Sequence, residues 1–208
     1  MEADPDADAV ETELVRELAT QRTVSLRFVL RAYDIALKTG AITEQSSTAD
    51  WAKRFLIPCT SRTQLSWAQH TAERHGLNVQ PAKYHVVHSW SGEARALVIG
   101  VAQAANFDGP EPRRITDLLQ EKWHADKSPS NLDVHFFICP FSINQHTVQQ
   151  YTEGAPPLHR PEIGNPRCEI DKFPKVGKAI CERPETAMVL VLDEQRVALT
   201  RSCCLEEL

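Results

Sequence analysis

The sequence lacks the features that mark special environments. Its longest apolar run, residues 187–192, is strand-sized and far short of the roughly 18 residues that a membrane span needs. The amino terminus is acidic and has no apolar core segment, so no secretory signal is expected. Glycine is scarce (8 residues) and proline moderate (13), which excludes a collagen-like or low-complexity chain. No C-x-x-C pair occurs among the six cysteines Cys59, Cys139, Cys168, Cys181, Cys203 and Cys204. The expectation is therefore reduced thiols in a cytoplasmic protein. A zinc site from Cys168, Cys181 and the adjacent Cys203 and Cys204 is the alternative, but it lacks the closely spaced ligand pairs of such sites, and no metal is expected.

Positive charge is also in short supply. The net charge of −5 comes from one end: Glu2, Asp4, Asp6, Asp8, Glu11 and Glu13 have no base among them. The rest of the chain holds 22 acids against 23 bases and is close to neutral. Nucleic-acid binding, which needs clustered positive charge, is not expected. Residues 1–13 read as an acidic, disordered tail.

What is present divides near residue 80. Leu26, Val29, Leu30, Tyr33 and Leu37 form a helical stripe followed by Gly40, residues 43–48 read as a loop, and a helix over 50–57 is expected to stop at Pro58. A helix over 62–75 closes at Gly76. Residues 14–80 thus read as a helical N-terminal region. From 83 the pattern becomes β-α-β-α-β, with strands over 83–89, 134–141 and 186–193 and helices over 94–105, 113–124 and 171–181. The strands are almost unbroken apolar runs, which suits parallel strands covered on both faces. The expected fold is α/β, with 84–88, 135–139 and 187–192 adjacent and parallel and the first of them central. The long connection over 142–167 reads as functional or mobile.

Ligands of open α/β sheets gather at the carboxyl ends of the strands. Here those ends carry His88-Ser89-Trp90-Ser91-Gly92-Glu93, then Pro140-Phe141-Ser142-Ile143-Asn144-Gln145-His146, and finally the segment from Asp193 into a helix that begins near Thr200. Trp90 could stack on a nucleotide base or simply cap the core. His88 and His146 could serve as acid–base groups or be satisfied polar residues. Ser142, Asn144 and Gln145 offer hydrogen bonds. Cys204, at a helix start, could be an activated or a packed thiol.

Together these segments resemble the TIR (Toll/interleukin receptor) family. Cys204, Leu205, Glu207 and Leu208 match its third motif, with Cys203 where the family usually has Trp. Ser89, Trp90, Gly92 and Glu93 match its first strand and turn. Phe141, Ser142, Asn144, Gln145 and His146 match the second motif of TIR-like proteins of algae and other protists, which the chain resembles more closely still. The resemblance covers residues 83–208 and implies a flavodoxin-like sheet that is C-terminally incomplete, ending after the third strand. It implies NAD cleavage at the nicotinamide–ribose bond, with Glu207 catalytic and Glu206 the competing register. It also implies that Ser89, Trp90, Gly92, Glu93, Phe141, Ser142, Asn144 and Cys204 contact the substrate. NAD would be a substrate, and no cofactor is expected. The alternatives are a non-catalytic assembly module, self-associating or binding a partner protein through the sheet edge and the second-strand loop, and a nucleoside-processing enzyme on a related sheet.

Overall fold

The structure, a computed structural model, describes residues 5–76, 79–107, 131–146, 166–169 and 172–192. The expected helix over 113–124, most of the 142–167 connection, and Asp193 with the final segment carrying Cys203, Cys204, Glu206 and Glu207 lie outside these residues.

Four strands form one sheet in the order β1 (Val24–Ser25), β3 (His135–Ile138), β2 (Tyr84–Val87), β4 (Ala187–Leu190). The three expected strands are parallel with β2 in the middle, Tyr84 standing opposite both Phe136 and Ala187. The sheet is nevertheless mixed, because β1 runs antiparallel to β3, Val24 facing Phe136.

Helices cover both faces. Tyr84, Val86, Phe136 and Ile138 share one core cluster with Leu26, Val29 and Tyr33 of α2 (Leu26–Lys38) and with Leu97, Val98 and Val101 of α6 (Ala94–Phe107). On the other face Phe137 packs with Leu18 of α1 (Pro5–Gln21) and with Val176 and Ile180 of α8 (Phe173–Cys181). The unbroken apolar runs of β2 and β3 follow from this double cover, whereas β4 at the edge is half-buried with Ala187 exposed. At the β4 edge, α6 approaches so closely that a Cβ on Gly100 would lie 2.8 Å from a methyl of Val191, and Val191 is buried there. Among the described residues no strand pairs with the outer edge of β4.

Four local expectations change. The acidic segment is helical from Pro5, since Leu14, Val15, Leu18 and Ala19 give α1 an apolar side that packs on α8, and Glu11 pairs with Lys172 and Lys175. Pro58 does not end its helix. After α3 (Thr48–Trp51) the chain widens into a π-turn (Ala52–Leu56) and continues as α4 (Ile57–Thr60). The wide turn, with Ile57 N–H bonded to the Ala52 carbonyl, makes room for the proline ring that would clash in an ordinary α-turn. The third change is that β3 stops at Ile138, where α7 (Cys139–Ser142) begins with Pro140 in its first turn. Between α4 and β2 lies α5 (Trp67–His75), which starts later than the expected residue 62. Among the described residues no helix is long and apolar enough to cross a membrane.

Candidate functional site

The C-terminal end of β2 turns sharply into α6. Gly92 N–H donates to the Ser89 carbonyl at 3.1 Å, closing a four-residue turn, and the Ser89 and Ser91 hydroxyls lie 3.1 Å apart. Ser91 and Glu93 are exposed, Ser89 and Gly92 are buried, and Trp90 is half-buried against the α2–α6 core. The Trp90 ring stands 5.9 Å from that of His88. His88 is buried, and loss of solvent pushes its pKa down to about 4, so the imidazole is neutral at physiological pH.

The turn is clasped by a segment that the sequence motifs do not include. Thr48 N–H donates to the Gly92 carbonyl at 2.8 Å, Ala49 N–H to the Trp90 carbonyl at 2.9 Å, and Ala94 N–H to the Ser46 carbonyl at 2.9 Å. Ser47 caps α3 reciprocally: its hydroxyl accepts from Asp50 N–H at 3.0 Å, and its own N–H donates to the Asp50 carboxylate. The Ser47-x-x-Asp50 spacing is the sequence signal that could have marked this helix start. Beside the clasp, Thr48, His88, Ser89, Gly92, Glu93 and Val191 line a partly open cavity of about 10 Å³, the space of a single water.

The second predicted segment divides. Phe141 is fully buried, with Trp51 edge-on at 5.1 Å, so it belongs to the core. Ser142 is also fully buried, and its hydroxyl accepts from Ile138 N–H at 3.0 Å, sealing the end of β3. Asn144 is half-buried and polar in its surroundings: its amide donates to the Gln64 carbonyl at 2.8 Å, and its N–H donates to Glu169 at 2.9 Å. Gln145 donates to the Cys139 carbonyl at 2.9 Å, and His146 lies 2.8 Å from the Thr60 hydroxyl. Glu169 in turn accepts from Arg22 at 2.5 Å, and Arg22 also bonds Glu17 at 2.9 Å. Arg22 and Glu169, which no motif marks, thereby pin the chain beyond β3. Trp51 joins the two strand ends, since its helix carries the clasp and its ring covers Phe141.

The structure thus brings Ser89, Trp90, Gly92 and Glu93 together on one turn. It commits Phe141 and Ser142 to the interior and holds Asn144 in a separate network. Cys204 and Glu207 lie outside the described residues. Among the described residues no group of three or more metal-ligating side chains converges. No family model matches the chain, and no curated protein or solved structure matches it.

Proposed function

We propose that the chain is a TIR-like module on a flavodoxin-like sheet, and that it hydrolyses NAD at the nicotinamide–ribose bond in a signalling, stress or defence role. The observation that supports this reading is the order β3-β2-β4, in which the helix following β2 covers one face and the helix leading into β4 covers the other. In open α/β sheets the crevice beside such a strand end is where ligands bind, and here it carries the 89–93 turn. Ser91 and Glu93 offer polar contacts to ribose hydroxyls, and Trp90 offers a ring face. In the reaction the C1′–N bond breaks and nicotinamide leaves with the electron pair. Water then adds to C1′ and releases a proton to solvent. The Glu207 carboxylate opposes the positive charge that grows on the ribose.

A second reading, a non-catalytic assembly module, is favoured by one observation: Ser46, Thr48 and Ala49 bond to the 90–94 backbone, and the cavity beside Thr48 has room for about one water. Incubating the full chain with NAD and measuring free nicotinamide separates the two. Catalysis predicts release that falls ~10²–10³-fold in Glu207→Gln and much less in Glu206→Gln, since neighbouring helical positions are turned about 100° apart. Equal release by wild type and Glu207→Gln refutes the role of Glu207. No release by any variant, with sedimentation showing concentration-dependent oligomers, supports assembly instead.

A further inference from the structure

A second cavity lies at the other side of the molecule. It has a volume of about 350 Å³, within the range of small-molecule pockets. It sits beside β1, walled by α5 and the start of α2, and includes His135, the first residue of β3. The 89–93 turn lies at the opposite ends of the parallel strands, so the two sites are distinct.

The space exists because of side-chain size. Ala68, Thr71 and Ala72 stand at i, i+3 and i+4 on α5 and line the cavity, so the helix stands off from β1 without filling the gap. Both ends of α5 are fixed, by the Ser66–Gln69 capping box and by Gly76 in the left-handed conformation, which makes it a firm wall. Phe28 supplies an aromatic surface, steadied by the His75 ring at 5.6 Å.

The polar groups are specific. The Thr23 hydroxyl lies 2.6 Å from the Gln80 carbonyl and 2.9 Å from His135 Nδ1. A carbonyl only accepts, so the single hydroxyl proton goes to Gln80, and Nδ1 must donate to Thr23. That fixes the tautomer: Nε2 carries the lone pair, and among the described residues it has no hydrogen-bond partner. Burial lowers the pKa of His135 and keeps the ring neutral, with Asp133 opposing the shift. At the rim Arg27 and Asp133 pair at 3.2 Å, and their charges cancel. The cavity therefore has a largely apolar lining, an aromatic wall, an imidazole acceptor of fixed tautomer and a paired charge at its rim.

We infer that this cavity binds a small, neutral aromatic molecule that donates one hydrogen bond to His135 Nε2. The test uses the full chain with phenol and toluene, which match in shape and differ in the O–H donor, followed by two-dimensional amide NMR. Phenol should bind with millimolar affinity and shift the amides of α5 and β1, and toluene should bind ~3–10-fold more weakly. His135→Phe should erase that difference while leaving toluene binding in place. Ala72→Leu, which narrows the cavity, should weaken both probes, and circular dichroism shows whether each variant is folded. Equal binding of the two probes to wild type would overturn the hydrogen bond, and shifts confined to other surfaces would overturn the site.

Discussion

Replacing Gly177 by alanine should destabilise the protein, although alanine is the better helix former. Alanine in a helix interior gains ~0.5–1 kcal/mol over glycine. At Gly177, however, a Cβ would lie 2.8 Å from Nδ1 and 2.9 Å from Cε1 of His85 on β2. The imidazole has little room to yield, since it is 1% exposed and the Phe137 ring stands 5.4 Å away. Inserting a methyl into a packed interior of this kind costs ~1–3 kcal/mol. The difference is a net loss of about 0–2.5 kcal/mol, and a mid-range loss of ~1 kcal/mol lowers Tm by roughly 2–4 °C for a chain of this size. The decisive comparison is a double-mutant cycle by urea denaturation. In a His85→Ala background the obstruction is gone, and Gly177→Ala should change sign and stabilise by ~0.5–1 kcal/mol. A stabilising Gly177→Ala in the wild-type background would refute the close approach of α8 to β2, as would equal effects in both backgrounds.

Acid should weaken the fold earlier than carboxylate titration alone would. His85 and His88 are both buried, and burial pushes each pKa down to about 4 from 6.5. The unfolded chain takes up these protons first, so their contribution is complete above pH 6.5 and is lost as pH falls toward 4. Between pH 6.5 and 5 the two together should remove roughly 2–4 kcal/mol, read from urea midpoints. Stability unchanged over that interval would contradict their burial. Arg22→Ala should cost about 2–4 kcal/mol, because it strands the largely buried Glu169 beside Glu17. The loss should shrink when Glu169→Gln is combined with it, and additive losses would show that the two do not act as a pair. Ser47→Ala should cost ~1 kcal/mol through its lost cap, and amide exchange at Thr48 and Ala49 should rise because the clasp on Gly92 and Trp90 loosens. Unchanged exchange there would mean that the clasp does not depend on the cap.

By itself the sequence determined the elements whose signal fits within about ten residues. The apolar run at Tyr84–Val87 marks a strand because both faces of the sheet are covered there, and Ala187–Leu190 marks one at the sheet's edge, where Ala187 is exposed and the next three residues are half-buried. The stripe from Leu26 to Leu37 marks α2 because one side of that helix is buried, and Gly40 and Gly76 mark helix ends because both sit at positive φ. The 89–93 turn was legible for the same reason: it directly follows a strand, and strand ends are where an α/β sheet is accessible.

Tertiary structure alone decided the rest. β1 has two residues and leaves no periodicity; it exists because Val24 and Ser25 meet Phe136 and His135 more than a hundred positions away. The acidic start became helix because α8 offered an apolar surface and lysines to it. Phe141 and Ser142 sit at a strand end as the motif suggests, yet Trp51 and the backbone of Ile138 claim them for the interior. The clasp of Thr48 and Ala49 on the turn arises the same way. Each of these outcomes depends on which distant surface is available to bury a group or satisfy an N–H, a condition that no local window of sequence contains.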